Sequence, residues 1–190
     1  MERLVCVPII LVGYITIAVL PLSFCHAKSN VVCHEREKTA LLRFKQGLRD
    51  PSNRLSSWST EEDCCKWTAV GCDNVTGHVI KLDLRNPNID NKTQDGHEFI
   101  ELAGEISSSL LELKRLVFLD LSYNNFTNIP HFFGSLKSLR YLILRRSGFG
   151  GVIPYQIGNL TNLRSLDLSS NNLWVQNLWW LSHLSSFEIS

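Results

Sequence analysis

The chain has 190 residues, of which 44% are hydrophobic and 19% charged, a balance typical of one globular domain. This composition excludes an intrinsically disordered tail and a collagen-like fibre. Lys and Arg number 19 and Asp and Glu 18, so the formal charge is +1 and no global field attracts nucleic acid or an anionic membrane. We therefore expect no nucleic-acid partner, and any basic surface must be local.

Residues 1–27 predict a removable secretory signal. Arg3 precedes an apolar run from Leu4 to Leu22, and the small residues Cys25 and Ala27 fit the positions before a cleavage site. The run is about 19 residues long, near the length that spans a bilayer, so an uncleaved membrane anchor is the alternative. We expect no membrane span after the signal.

The cysteines that follow the signal predict disulfide bonds, because secretion takes the chain through an oxidising compartment. Four cysteines remain: Cys33, Cys64, Cys65 and Cys72. They allow three pairings, and a bond between the neighbours Cys64 and Cys65 would strain the backbone. We favour Cys33 with Cys64 and Cys65 with Cys72.

Residues 35–48 predict an amphipathic helix that ends around Gly47. Its apolar side chains recur at helical spacing: Ala40, Leu41, Phe44 and Leu48. Trp58 and Trp67 follow in the cysteine-bearing segment. We expect both tryptophans to pack over the helix, beside the disulfides, as core residues.

A repeat organises the rest of the chain. Three copies begin at Leu116, Leu139 and Leu163, which are 23 and 24 residues apart. A degenerate copy begins at Val79 and is followed by a polar insert at 87–98. Phe187 lies 24 residues after Leu163 and begins a copy that is cut short.

The pattern L-x-x-L-x-L-x-x-N has a mechanical basis. Its leucines point inward from a short strand, its asparagine hydrogen-bonds backbone in the next turn, and stacked coils bury a continuous core. Ser147 and Pro87 replace the asparagine in two copies, so we expect a weaker asparagine ladder there. Residues 151–154, echoed at 104–107 and 127–130, predict a second edge of each coil that is not a strand.

These features resemble plant-type extracellular leucine-rich repeat proteins. The resemblance rests on the cap segments Glu35-Arg36, Leu41-Leu42, Phe44-Lys45, Asp50-Pro51, 55–58 and 64–67, followed by the glycine-proline coils. It implies an α/β repeat fold, a leucine-rich repeat solenoid with a disulfide-stapled helical N-terminal cap at 28–77 and about four repeats at 78–190. Ala69 stands where that family usually has glycine, a change that is small in volume.

The paired cysteines and residues 172–181 most resemble receptor-like proteins of plant immunity, the group of the apple scab-resistance paralogues and the tomato Cf and xylanase-elicitor receptors. The resemblance implies an ectodomain that binds a pathogen-derived or endogenous protein or peptide ligand, one membrane span and a co-receptor kinase in defence signalling. We expect this chain to be the beginning of such a receptor, secreted to the apoplast as it stands and held at the plasma membrane if the frame continues.

Two other functions remain open at this point. One is a secreted inhibitor similar to polygalacturonase-inhibiting proteins, for which the chain has too few coils and no terminal cysteine pair. The other is an inert or decoy fragment that needs no ligand.

Binding residues are predicted at the strand positions between the inward leucines, which share one concave face. These positions form four columns: Lys81, Phe118, Tyr141, Ser165; Asp83, Asp120, Ile143, Asp167; Arg85, Ser122, Arg145, Ser169; and Asn86, Tyr123, Arg146, Ser170. Aromatic and arginine side chains anchor interfaces. We predict ligand or partner contact through Phe118, Tyr123, Tyr141, Arg145 and Arg146. A solvated face that binds nothing is the alternative.

Four sequons predict N-linked glycans, and each has Thr two places after the asparagine. The asparagines are Asn74, Asn91, Asn125 and Asn159. They occupy expected turns or coil edges rather than positions among the inward leucines, so we expect most of them to be used.

No pattern indicates catalysis. A zinc site that combines the cysteines with His34 or His78 is the alternative to the disulfides, but paired C-x-x-C spacing is missing and secretory compartments oxidise thiols. The other histidines are scattered and form no nucleophile pair or phosphate loop. We expect no enzyme activity, no metal and no cofactor.

The C-terminal coil predicts an apolar surface. The residues expected there are Leu173, Leu178, Trp179, Trp180 and Leu181. Since a strand at the end of a solenoid has an open edge, we expect the isolated chain to associate as its concentration rises.

Overall fold

The computed structural model describes residues 5–8, 23–26, 31–87 and 101–184. It divides the chain into two compact units, Met1–Val31 and Val32–Ser190. In the first unit, strands β1 (Val5–Pro8) and β2 (Ser23–His26) pair antiparallel. The rest of the predicted signal, the insert from 88 onward and the copy at Phe187 lie outside the described residues.

The second unit begins with helix α1 (Glu35–Gln46) and continues through short strands. They are β3 (Leu48–Arg49), β4 (Val70–Cys72), β5 (Val79–Asp83), β6 (Ala103–Gly104), β7 (Phe118–Asp120), β8 (Tyr141–Ile143), β9 (Gly150–Val152), β10 (Ser165–Asp167) and β11 (Asn172–Trp174). Short 3-10 helices lie at Cys64–Lys66, Ser108–Glu112, His131–Ser135, Tyr155–Asn159 and Trp179–His183.

Helix α1 is shorter than the sequence predicts. Ala40, Leu41 and Phe44 are buried as expected, but the helix ends at Gln46, Gly47 caps it, and Leu48 belongs to β3. The Gly47 carbonyl accepts a hydrogen bond from the Glu105 backbone at 2.9 Å. Leu48 therefore pairs with Gly104 of β6, which is distant in sequence, instead of continuing the helix.

The core of the cap forms as predicted. The rings of Phe44 and Trp58 lie 6.5 Å apart, and those of Trp58 and Trp67 stack at 5.3 Å. Both tryptophans are buried, and Trp58 Nε1 donates to the Thr68 carbonyl at 2.8 Å. The tryptophans thus fill the space beside the helix rather than serving as surface stacking groups.

A five-stranded sheet in the order β10-β8-β7-β5-β4 forms one face of the coils. Strand β4 is antiparallel to β5, and the remaining neighbours are parallel, as expected for successive turns of a solenoid. The inward leucines, represented by Leu82, Leu119 and Leu142, are fully buried and belong to one continuous core. The sheet and core confirm the predicted solenoid.

The second edge of the coils corrects one prediction. We expected a non-strand edge at residues 151–154 and 104–107, but β9 pairs parallel with β11 and β3 pairs antiparallel with β6. Gly104 and Gly151 have φ of +106° and +83°, which only glycine adopts without strain. The glycines of this edge therefore permit short strands that propensity alone does not predict.

The asparagine ladder is strong at Asn124 and Asn171 and weaker at Ser147. Asn124 Nδ2 donates to three carbonyls, of Leu84, Leu121 and Ser122, at 2.9–3.1 Å. Ser147 Oγ contacts two carbonyls, at 2.7 and 3.0 Å, with a single hydroxyl proton to donate. The expected weakening at Ser147 is confirmed.

The C-terminal coil exposes part of its apolar surface. Leu178 and Trp179 are 57% and 54% exposed, as predicted, but Trp180 is buried. Trp180 packs over Gly158, where an added Cβ would meet the Trp180 backbone oxygen at 2.7 Å. Within the described residues, no helix is both long and apolar enough to cross a membrane.

Candidate functional site

The first column of the concave face forms a continuous row of contacts. The strands place Lys81, Phe118 and Tyr141 side by side, in the register that the repeat predicts. The Phe118 and Tyr141 rings lie 6.1 Å apart, and Lys81 Nζ lies 5.0 Å above the Phe118 ring. Tyr141 is 37% exposed, so the row offers a cation and an aromatic surface to a partner.

Lys81 joins this site although it is not among the predicted contact residues. Its ammonium also pairs with the Asp83 carboxylate at 3.1 Å. The repeat register aligns Lys81 with Phe118, so the sequence contains the signal that places it there. The cation–π contact itself depends on side-chain geometry that only the structure supplies.

The second and third columns each contain one position that is less accessible than the sequence predicts. Asp120 and Ser122 are buried, whereas both were expected to face solvent. Asp120 Oδ1 accepts hydrogen bonds from the backbone and hydroxyl of Ser122, at 2.8 and 2.5 Å, so the pair closes a turn. Burial raises the pKa of Asp120, with a smaller contribution from the nearby Asp83 carboxylate, and the Ser122 hydrogen bonds partly offset the rise.

The predicted contacts Tyr123, Arg145 and Arg146 follow the strands rather than belonging to them. Arg145 and Arg146 are exposed and Tyr123 is half-buried. Tyr123 and Arg146 have φ of +59° and +47°, in the left-handed region. Ser170 at the same column has φ of +58°, so the three coils that begin at Leu116, Leu139 and Leu163 turn sharply here.

A cleft of about 570 Å³ adjoins the N-terminal end of the concave face. Arg54, Lys81, Arg85 and Asp83 contribute charged groups to its lining, which also includes Pro87. The cleft extends the concave face toward the cap with mainly positive charge.

Arg54 of the cap substitutes for the asparagine that the degenerate copy lacks at Pro87. Its Nη2 donates to the Leu84 and Arg85 carbonyls at 2.6 and 2.7 Å, and its Nη1 donates to Asn124 Oδ1 at 3.0 Å. Burial lowers the pKa of Arg54, and the Asp50 carboxylate partly offsets this effect. We expected the asparagine ladder to be weak at Pro87. Arg54 of the cap instead supplies the hydrogen bonds that the missing asparagine would make.

The cysteines form the favoured disulfides, Cys33–Cys64 and Cys65–Cys72. The sulfur atoms of Cys33, Cys64 and Cys65 lie within 4.8 Å of one another, close enough to share a metal ion. Because the two disulfides use the sulfurs of all four cap cysteines, none of these four is a thiolate that could bind zinc. The histidines of the zinc alternative instead stack on each other, with ring centroids 3.8 Å apart.

Three of the predicted glycan sites are exposed. They are Asn74, Asn125 and Asn159. Each asparagine lies outside the strands of the concave sheet, so a glycan there leaves the Phe118–Tyr141 row accessible. Asn91 lies outside the described residues.

Comparison with known proteins identifies the family. Residues 34–73 match the leucine rich repeat N-terminal domain, and residues 115–136 and 162–184 match the Leucine Rich Repeat. Receptor-like protein EIX1 of Solanum lycopersicum is 49% identical over 174 residues. The ectodomain of BIR2 from Arabidopsis thaliana is 30% identical with a TM-score of 0.68, over 80% of this chain and 76% of that one. The chain belongs to the leucine-rich repeat proteins and is similar to plant receptor-like proteins.

The match with EIX1 covers 89% of this chain but only 17% of EIX1. A second structure of this repeat family is the ectodomain of the Arabidopsis thaliana membrane receptor kinase GASSHO1/SCHENGEN3, in complex with CASPARIAN STRIP INTEGRITY FACTOR 2. It is 28% identical with a TM-score of 0.67, over 80% of this chain and 17% of that one. Relatives of this leucine-rich repeat chain are thus receptor-like proteins and ligand-binding ectodomains.

Proposed function

We propose that this chain is the N-terminal part of the extracellular recognition module of a plant cell-surface receptor-like protein in defence signalling. The observation that carries the proposal is the aligned row of Lys81, Phe118 and Tyr141 on the concave face of a receptor-like solenoid. Arg145 and Arg146, which follow β8, add two exposed guanidinium groups. Such residues recognise a protein or peptide by aromatic packing and charge-assisted hydrogen bonds.

The proposed ligand site comprises Phe118, Tyr123, Tyr141, Arg145 and Arg146. A standard protein interface takes roughly 800 Å² per partner, whereas four strands about 4.8 Å apart make a face only about 15 to 20 Å long. The whole described face would have to engage the ligand. The isolated chain therefore binds more weakly than micromolar, and a co-receptor kinase supplies the signalling that the recognition module lacks.

Secretion and glycosylation accompany this function. The chain enters the secretory pathway through residues 1–27, reaches the cell surface or apoplast, and carries N-linked glycans on Asn74, Asn91, Asn125 and Asn159. A mass loss on glycosidase treatment of the chain purified from a plant host tests this part of the proposal. An unchanged mass contradicts it.

The ligand site is tested with a displayed library of random peptides, selected against the secreted chain. Enriched peptides are expected to bind at least about tenfold more weakly to a Tyr141→Ala/Arg145→Ala variant. The matched control is Arg36→Ala/Lys66→Ala, which removes two exposed cations of the cap. Equal binding to the two variants, or submicromolar binding to the parent chain, contradicts the proposal.

The defence role needs a separate measurement. Plants that lack the gene are expected to give a smaller oxidative burst with pathogen extract than their unmodified siblings. The purified chain is also assayed against a fungal polygalacturonase. Inhibition of that enzyme replaces the receptor proposal with the inhibitor function.

A further inference from the structure

A second charged surface lies at the edge where the parallel strands begin. Five exposed basic residues form it, and we call them the basic edge: Lys114, Arg115, Lys137, Arg140 and Arg164. The Arg140 backbone donates to the Val117 carbonyl and the Arg164 backbone to the Arg140 carbonyl, both at 2.8 Å. Val117, Arg140 and Arg164 thus hold equivalent positions on consecutive coils, about 4.8 Å apart.

The described residues do not neutralise this edge. Lys81 forms an ion pair with Asp83 and His78 Nδ1 lies 3.0 Å from Glu37 Oε1, and neither contact involves the basic edge. Lys137 Nζ donates to the Asn159 carbonyl at 2.9 Å, a contact that leaves its charge uncompensated. A chain with a formal charge of only +1 therefore concentrates positive charge on one edge.

A cleft of about 330 Å³ lies within the edge. Arg115, Arg140 and His78 line it with basic groups, and Ile80 and Val117 contribute half-buried apolar side chains. Two further polar lining residues are held by backbone. Ser138 Oγ donates to the Lys114 carbonyl at 2.7 Å, and Asn162 Nδ2 donates to the Lys137 carbonyl at 2.9 Å.

Asp73 supplies the carboxylate among the described lining residues of this cleft. Its Oδ1 accepts hydrogen bonds from the Thr76 hydroxyl and backbone, each at 2.8 Å, and from the Val75 backbone. Hydrogen bonds from Thr76 lower the pKa of Asp73. All of these hydrogen bonds are made to Oδ1, and the ion pairs of the described residues do not join Asp73 to Arg115 or Arg140. The guanidinium groups of the cleft therefore remain available to an external anion.

We propose that the basic edge docks an extended, acidic peptide segment of a partner protein, separately from the concave ligand site. Carboxylates of the segment bind the Arg115 and Arg140 guanidinium groups, which match carboxylate geometry in a bidentate manner. An apolar side chain of the segment packs on Ile80 and Val117. This apolar floor favours a peptide over an anionic polysaccharide, which has no apolar side chain to place there.

The probe is a labelled synthetic peptide that alternates Glu with Ser around a central Leu, titrated against the full secreted chain. Fluorescence anisotropy is expected to show binding that weakens as salt rises, because exposed charges are screened. An Arg115→Glu/Arg140→Glu variant is expected to bind about tenfold more weakly. The control is Arg36→Glu/Lys66→Glu, which changes the net charge equally on the cap.

Two further variants separate the features of the site. A Val117→Ser substitution tests the apolar floor and is expected to weaken a Leu-containing peptide but not one in which Ser replaces the Leu. Tyr141→Ala/Arg145→Ala, in the concave face, is expected to leave peptide binding unchanged. Thermal melting of every variant confirms that the fold is retained.

Four outcomes of these experiments would contradict the proposal. Equal losses in the edge and cap variants show a nonspecific charge effect, and a loss in the concave variant assigns the peptide to the concave face. Tighter binding of polygalacturonate than of the peptide assigns the edge to polysaccharide. Binding only after glycosidase treatment shows that glycans cover the edge, since Asn74 and Asn159 lie beside it.

Discussion

Position 69 shows how backbone conformation, rather than volume, sets the cost of a single residue. Ala69 has φ of +71°, in the left-handed region that a Cβ disfavours. The family's usual glycine is explained by this angle. The sequence interpretation, which judged the alanine by its small change in volume, missed the reason for the glycine.

We expect Ala69→Gly to stabilise the chain by about 0.5–1 kcal/mol, because relief of the strained φ exceeds the entropy that glycine adds to the unfolded chain. Urea unfolding at neutral pH measures the change. The control Ala40→Gly, in the middle of α1, is expected to destabilise by about 1 kcal/mol. A destabilising Ala69→Gly contradicts this account.

Asp120 makes the stability of the folded chain depend on pH, and the direction of its pKa shift sets the sign. Because burial raises its pKa in the folded state, the folded chain binds more protons there than the unfolded chain. The stability contributed at Asp120 therefore falls as pH rises above 3.8, the ordinary value, toward the folded pKa. Above that window the buried carboxylate is ionised and destabilising.

We expect Asp120→Asn to reduce this loss of stability with rising pH, since the amide oxygen still accepts from Ser122 and carries no charge. Thermal melts at a series of pH values compare it with Asp167→Asn. Asp167 makes the same turn with Ser169 but is half-exposed. A larger pH effect at position 167 than at 120 argues against burial as the cause.

At the scale of elements, Arg54 joins the cap to the first two coils. One guanidinium satisfies the carbonyls that a repeat asparagine satisfies elsewhere, and it also bonds to Asn124. Asp50 holds the Arg54 backbone in place, since its carboxylate accepts from the Arg54 and Leu55 amides at 2.9 and 2.7 Å. The cap and the repeats are therefore coupled through this side chain.

We expect Arg54→Ala to destabilise the chain by about 2–3 kcal/mol, because it removes charge-assisted hydrogen bonds and leaves the Leu84 carbonyl with fewer partners. Arg54→Lys keeps the charge but loses the planar fork, so it recovers only part of the loss. Denaturant unfolding compares both with Arg49→Ala, an exposed arginine expected to change stability by less than about 0.5 kcal/mol. If Arg54→Lys is as stable as the parent chain, the planar geometry of the guanidinium group is not required.

At the scale of the whole molecule, exposed apolar side chains gather on the two coils that begin at Leu139 and Leu163. They are Val152, Tyr155, Trp174, Val175, Leu178 and Trp179. The Tyr155 and Trp179 rings lie 6.1 Å apart, and Val152 pairs with Trp174 between β9 and β11, so several of these side chains lie next to one another. Large exposed patches of this kind drive association in water.

We expect the chain to associate with rising concentration, and Trp174→Ser/Leu178→Ser to weaken the association by at least about tenfold. Sedimentation velocity over a concentration series provides the measurement. The control Val32→Ser/Val75→Ser removes exposed apolar residues of the cap instead. A monomer at every concentration, or an equal effect of the control, refutes the role of the patch.

The periodicity of the leucines alone predicted much of the structure of this protein. Inward leucines at a period of 23 and 24 residues specify the coils, the concave columns and their register, because only one stacking buries every leucine. The cap cysteines and tryptophans likewise predicted their pairing and burial. Aromatic and arginine contact residues could be proposed from this register, although their use in binding remains a prediction.

Tertiary structure decided what depends on contacts between distant residues. Leu48 leaves the helix because Gly47 bonds to Glu105, Asp120 is buried by its neighbours, and Arg54 reaches carbonyls some 30 residues away. No local pattern encodes these contacts, since each depends on where another coil places its backbone. Repeat spacing therefore determines the scaffold, while the packing of cap against coil determines which polar groups are buried and which remain available to a partner.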